Sequence, residues 1–285
     1  MTASAAFDFV VQAPVVPPEK LSALAARARA GAIVPFGAGA PTAYRLPGLA
    51  PDQALLAAAA DAGCDGAYVP EGRRLADVRL VAMDMDSTLI TIECVDEIAD
   101  MLGIKPQVAA ITASAMRGEI EFAESLRRRV GLLAGLPVSA LDRVYDERLQ
   151  LSPGAERMLA GFAAAGAKTA LLSGGFTFFT DRLKARLNLD HTASNTLEVA
   201  SGKLTGRIEG AIVDAEAKAA SLRRLKNQLC DDSGLAVVIG DGANDLPMFA
   251  AADISVAYRA KPVVRAKATH ALDFCGLDGV LNLFS

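Results

Sequence analysis

The sequence predicts an α/β protein: a doubly wound parallel sheet with a helical cap inserted after its first core strand, preceded by a small α+β unit. Three observations lead there. From residue 152 onward, helical and strand patterns alternate, which is the signature of a parallel sheet covered on both faces. Between about 93 and 150 the apolar residues recur only at helical spacing. Residues 1–75 alternate short apolar runs with Ala-rich stretches.

Taken in order, "FDFVVQAP", "AGAIVPF" and "DGAYVP" read as strands, and "PEKLSALAARARA" and "PDQALLAAAADAG" as helices, giving a small β-α-β-α-β unit over residues 1–75. An ACT-like regulatory or dimerising unit is one reading of it, with a homodimer formed through this segment. The polar stretch "EGRRLADV" marks the boundary to a second domain, 76–285. "RLVAMD" is its first strand. "ECVDEIADMLG", "KPQVAAITASAM", "EFAESLRRRVGLLAG" and "VSALDRVYDERLQ" then predict four cap helices over about 93–150. "KTALL", "AVVIG" and "ISVAY" predict further strands, with "FTFFTDRLKARL", "AEAKAASLRRLKNQL" and "NDLPMFAAA" as helices between them, completing a Rossmann-like core. The near period-two alternation of "SNTLEVASGKLTGRIEG" about Ser201-Gly202 predicts a β-hairpin, a local excursion from that sheet.

Composition narrows the function. The 285 residues carry 29 basic and 33 acidic side chains, a formal charge of -4, and 5% aromatics, which gives no electrostatic footprint for nucleic acid or an anionic membrane. The partner expected is a small molecule. Cys64, Cys94, Cys230 and Cys275 are far apart and form no CxxC pair, and no apolar run reaches the roughly 18 residues a membrane span needs. A cytoplasmic protein with free thiols is the expectation.

Ligands in open α/β sheets bind at the carboxyl ends of the strands, and three runs end there in polar residues. "RLVAMD" leads into Asp84 and Asp86, "KTALLSGG" into Ser173, Gly174 and Gly175, and "AVVIGDGAND" into Asp241, Asn244 and Asp245. A single acid at a strand end is most often a helix cap. Four acids in one crevice are different, because unit charges about 4 Å apart repel by on the order of 4 kcal/mol at an effective dielectric of 20. A cation among them is required. All-oxygen ligation by few carboxylates suits Mg²⁺, which commonly takes phosphate oxygens as further ligands. Ser173, the Gly174 and Gly175 amides and Lys218 could then bind a phosphate group. His191 and His270 sit in no motif, Cys275 lacks a cysteine-phosphatase loop, and no GxxxxGK[ST] is present, which leaves an aspartate as the nucleophile.

"DMDSTLI", "SGGF" and "GDGANDLPM", in that order and with Lys218 between the last two, resemble the haloacid dehalogenase superfamily of aspartyl-phosphate enzymes. Within it, residues from Asp84 onward resemble the branch that hydrolyses phosphoserine. The resemblance implies Asp84 as nucleophile and Asp86 as general acid and base, with Mg²⁺ held by Asp84, Asp241 and the Asp86 backbone carbonyl. Asp245 and Asn244 would support the metal shell, Asn244 also reaching substrate. In the cap it implies that Glu93 pairs with an ammonium, Arg129 with a carboxylate, and Met116 and Phe122 close a lid, so that the substrate is O-phospho-L-serine and the reaction the last step of serine synthesis. Taken by themselves, Glu93 suits a helix start, an arginine in "SLRRRV" usually faces solvent, and Met116 and Phe122 are ordinary core candidates. Two alternatives remain open: a phosphatase or phosphotransferase for another small phosphorylated amino acid, and a receiver-like module phosphorylated on aspartate.

Overall fold

The structure is a computed structural model that describes residues 7–37, 42–231 and 233–285. The side chain of Met116 lies outside the described residues. The chain forms a four-stranded antiparallel sheet followed by a seven-stranded, mainly parallel one.

The first sheet is built from β1 (Phe7–Ala13), β2 (Val34–Phe36), β3 (Thr42–Leu49) and β4 (Asp65–Pro70), with α1 (Pro18–Ala28) after β1 and α2 (Gln53–Asp61) after β3. Its order is β2-β3-β1-β4. Strand β3 is an addition to the β-α-β-α-β pattern expected from sequence. Pro47 and Gly48 hide it, since neither favours a strand interior. The chain accommodates them with a bulge: Phe7 opposes Leu49 but Phe9 opposes Leu46, and Gly48 takes up the extra residue at φ +71°. Period-two alternation decides what each face meets. Phe9, Val11 and Ala13 pack with Leu21, Leu24, Leu55 and Ala59 of the two helices, while Val10, Ala67 and Val69 join the main core on the other side.

That second face is docked by buried polar bonds as well. The Asp65 carboxylate accepts backbone N–H bonds from Asp273 (2.7 Å), Phe274 (3.2 Å) and Cys275 (2.8 Å). Asn282 donates to Gln12 (2.8 Å), and Arg45 donates to the Phe284 carbonyl (2.7 Å). The C-terminal residues thus fasten the two sheets together.

The second sheet contains β5 (Val78–Met83), β6 (Lys168–Phe176), β7 (His191–Ala200), β8 (Lys203–Glu209), β9 (Leu235–Gly240), β10 (Ile254–Tyr258) and β11 (His270–Leu272). Between β5 and β6 lie the four helices expected there, α3 (Cys94–Met101), α4 (Lys105–Met116), α5 (Phe122–Gly131) and α6 (Ser139–Glu147), and then α7 (Ala155–Ala164). Helix α8 (Thr177–Leu187) precedes β7, α9 (Ala215–Leu229) precedes β9, and α10 (Leu246–Ala251) and α11 (Pro262–Arg265) flank β10. The strand order is β11-β10-β9-β5-β6-β7-β8, parallel except between β7 and β8. The hairpin about Ser201-Gly202 is present, both turn residues having positive φ as a type I′ turn requires. It is not an excursion, however. Its first strand belongs to the main sheet and its second becomes the antiparallel edge.

The order reverses at β5, with β6 and β7 to one side and β9 and β10 to the other. A crevice therefore opens at the carboxyl end of β5, between β9 and β6. All three polar-ended runs read from the sequence end in that crevice.

His270 lies at the seam between the two sheets, buried on β11, with its Nε2 2.9 Å from Nη1 of Arg73. Arginine can only donate, so this nitrogen accepts and the ring is neutral. Burial, then the adjacent Arg73, pull its pKa down to about 3. An unfolded histidine titrates near 6.5, so acid favours unfolding between that value and about 3. The expected outcome is that the stability difference between the wild type and His270→Gln shrinks by about 1.4 kcal/mol per pH unit as pH falls below 6.5. Urea melts of both proteins at pH 7, 6 and 5 check this; parallel lines would refute it.

Candidate active site

The site begins where β5 stops. Asp84 N–H still donates to Ile239 O (3.0 Å), continuing the ladder with β9, while its carboxylate accepts from Met85 N–H (2.7 Å). The chain then folds back over residues 85–89, with Ser87 at φ +55°. Non-glycine residues seldom adopt this conformation, and here it lets Asp86 follow Asp84 at one strand end. Asp86 is anchored by the Cys94 N–H at the start of α3 (3.1 Å). Thr88 turns its hydroxyl to Asp241, 3.0 Å away.

On the neighbouring strand, Gly240 lies so close to Asp245 that a Cβ there would meet Asp245 Oδ2 at 2.3 Å. Only glycine admits the buried carboxylate. Asp245 in turn accepts from Gly242 N–H (3.1 Å) and from Lys218 Nζ (2.6 Å). Lys218, 1% exposed, also reaches Asp84 Oδ2 at 2.9 Å, and Asn244 donates to the same oxygen at 3.1 Å. Carboxylate oxygens of Asp84, Asp241 and Asp245 lie within 4.8 Å of one another.

The third wall is the loop at the end of β6. Ser173 is buried and its Oγ accepts from Gly175 N–H (2.9 Å). A Cβ on Gly175 would lie 2.7 Å from Met85 Cε and 3.1 Å from Asp86 Oδ2, so the glycine sets how closely loop and aspartate turn approach. A Cβ on Gly174 would meet the Phe122 ring at 3.1 Å. The cap is thus folded down on this loop. Glu93, just before α3, accepts from Ser87 Oγ (2.6 Å), and Arg129 of α5 sits in the field of Asp96, Glu93 and Asp86.

Crowding of acids sets the electrostatics. Burial, Glu93 and Asp84 push Asp86 up to about 8; burial and Asp84 push Asp241 up to about 6. Burial and Asp84 also raise Asp245, against the pull of Lys218. Burial alone would lower Lys218, but Asp84 and Asp245 outweigh it and lift it to about 12. It stays charged. Even with Asp86 protonated, one ammonium facing Asp84, Asp241 and Asp245 leaves excess negative charge, and the donors are all oxygens, a set suited to a hard divalent cation. Asp241 has only a neutral hydroxyl beside it among the side-chain hydrogen bonds of the described residues, so it is open to such an ion.

The expected site residues are brought together: Asp84, Asp86, Ser173, Gly174, Gly175, Lys218, Asp241, Asn244 and Asp245 line the crevice, and Glu93, Phe122 and Arg129 approach it from the cap. Met116 ends α4, and its side chain lies outside the described residues. Sequence reasoning missed the residues that hold these in place: Ser87 under Glu93, Thr88 under Asp241, Cys94 under Asp86. The signal for the first two was their position directly after the Asp84-Asp86 pair. Nothing in sequence marks a backbone amide such as that of Cys94.

Residues 81–250 match the haloacid dehalogenase-like hydrolase family, and the chain belongs to it. A phosphoserine phosphatase of Polaromonas sp. is 53% identical over 215 residues, 74% of this chain and 91% of that protein. The structure of a probable phosphoserine phosphatase from Vibrio cholerae superposes with a TM-score of 0.85 at 39% identity, covering 97% of this chain and 85% of that one. A family hydrolase from Salmonella enterica superposes with a TM-score of 0.88 at 34% identity, covering 98% of each.

Since Asp241 takes a proton near pH 6 and a bound cation competes with that proton, divalent-cation affinity is expected to rise as pH climbs from 5 to 7. Titration calorimetry with Mg²⁺ at pH 5, 6 and 7 measures it. A pH-independent affinity would remove Asp241 from the cation site.

Proposed function

We propose that this chain hydrolyses O-phospho-L-serine to L-serine and phosphate through a phosphoryl group carried on Asp84. The observation that carries the substrate assignment is the meeting of a cap carboxylate, Glu93, and a cap guanidinium, Arg129, beside Asp86. An ammonium and a carboxylate on one small molecule satisfy both. The similarity to phosphoserine phosphatases over most of the chain supports the same reading.

In the first step an Asp84 carboxylate oxygen attacks phosphorus, the bond from phosphorus to the seryl oxygen breaks, and the Asp86 proton goes to that oxygen. Asp86 carries the proton at neutral pH because its pKa is raised to about 8. In the second step water attacks the aspartyl phosphate, Asp86 takes its proton, and the bond from phosphorus to Asp84 breaks, releasing phosphate. Lys218, Ser173 and the Gly174 and Gly175 amides hold the phosphate oxygens throughout, with Asn244 beside them. Asp84, Asp241 and the Asp86 carbonyl would hold Mg²⁺, with Asp245 in support; the ion supplies neutralisation of the charge carried by phosphate. Phe122 over Gly174 excludes water from the first step. This activity suits the last step of serine synthesis.

Asp84→Asn is expected to lower phosphoserine turnover by at least about a thousandfold. Glu93→Gln and Arg129→Lys should each raise KM for phosphoserine by about tenfold or more, since a charge-assisted bond contributes about 1.5–3 kcal/mol; Arg129→Lys, which keeps the charge facing Asp86, should leave p-nitrophenyl phosphate within about twofold. Phosphate release from both substrates, with Mg²⁺ and with chelator, tests all three. Equal losses on both substrates in Arg129→Lys would refute amino-acid recognition, and activity in chelator would refute the metal.

A further inference from the structure

The strand-end logic that locates the aspartates has a fourth instance. Asn195 lies on β7, opposite Phe176 at the end of the parallel β6–β7 pairing. It is 1% exposed. Its Nδ2 donates to Gly174 O at 2.9 Å and to Val213 O at 3.2 Å, and its Oδ1 accepts from Val213 N–H at 2.8 Å. Two carbonyls and one N–H fix the amide in a single orientation.

Each bond acts on a different part of the phosphate subsite. The Gly174 carbonyl and the Gly175 N–H belong to one trans peptide plane and point in opposite directions. Holding the carbonyl toward β7 therefore aims the Gly175 N–H away from β7, where it meets Ser173 Oγ. The other two bonds clamp Val213 by both backbone groups. Val213 precedes Asp214, whose carboxylate caps α9 by accepting from Ala217 N–H (2.9 Å) and whose carbonyl accepts from Lys218 N–H (2.9 Å). Asn195 thus joins the loop carrying Ser173, Gly174 and Gly175 to the first turn of the helix carrying Lys218.

We infer that Asn195 is a positioning residue for the phosphoryl group: its side-chain amide sets the distance between the Ser173–Gly175 loop and the Lys218 ammonium. The inference rests on the reading of those groups as the phosphate subsite. It touches no part of the amino-acid subsite, which is built from the cap. Loss of the amide should therefore weaken what phosphate feels and leave what serine feels unchanged.

The test compares Asn195→Ala and the near-isosteric Asn195→Asp, which keeps the acceptor for Val213 and loses the paired donors, with the wild type. For variants with a native circular dichroism spectrum, kcat/KM is expected to fall by about tenfold or more on both phosphoserine and p-nitrophenyl phosphate, about 1.4 kcal/mol per factor of ten. Inhibition by inorganic phosphate should weaken by a similar factor, and inhibition by L-serine should stay within about twofold. Should either variant fold and keep wild-type kcat/KM and phosphate inhibition, the inference falls. It also falls if the variants only lower the melting temperature while the folded fraction keeps wild-type constants, since that is a purely structural role. Wild-type protein inactive on phosphoserine but active on p-nitrophenyl phosphate would overturn the substrate reading and leave this one standing.

Discussion

The structure depends on one buried ion-pair arrangement: Lys218, 1% exposed, held between Asp84 at 2.9 Å and Asp245 at 2.6 Å. Burying one carboxylate without a partner costs several kcal/mol, and Asp84 and Asp245 are both buried. The ammonium offsets part of that, and its position dictates the rest. It must arrive on a helix beginning beside the crevice, so α9 is capped by Asp214 and starts next to the β6 loop. Asp245 must lie against the backbone of β9, so residue 240 is glycine. What Lys218 leaves uncompensated, chiefly at Asp241, is negative charge, which attracts a cation.

The scaffold separates rigid from adjustable parts by bond type. Core strands β5, β6 and β9 are buried along nearly their whole length and present Asp84, Ser173 and Asp241 from adjacent ends. The cap brings Glu93 and Arg129 to the crevice, where they meet the core through a single polar contact and electrostatic proximity. The aspartates therefore sit on the sheet, and Glu93 and Arg129 sit on a helical segment that can diverge without disturbing the strand ends. The N-terminal sheet contributes no residue to the crevice among those described; it is fastened to the opposite region through Asp65, Gln12 and Arg45.

The core was legible in sequence because a parallel sheet demands continuous apolar runs and places its polar residues at their ends, which is how Asp84, Ser173 and Asp241 could be found. The cap helices were legible from their apolar period. Strand β3 was not, because Pro47 and Gly48 break the alternation and the bulge that rescues it exists only in the pairing with β1. Asn195 was hidden for a related reason. It lies in the middle of a strand by local pattern, and only the pairing partners reveal that the parallel ladder ends there and the hairpin begins. Single-residue chemistry shows in sequence; a residue whose function is to join two segments shows only when both are in place.

That distinction also explains how the cap is carried. Backbone bonds tie the segment between α5 and α6 to the β7–β8 hairpin: Gly135 N–H to Leu204 O, Leu204 N–H to Leu136 O, and Val138 N–H to Gly202 O. The hairpin continues the strand that carries Asn195, so the cap's anchorage and the clamp on the Ser173–Gly175 loop share one element. None of these three bonds involves α4 or the start of α5, where Phe122 lies over Gly174. The hydrogen bonds therefore fix the hairpin end of the cap to the sheet, whereas the Phe122 end meets the loop through packing against Gly174.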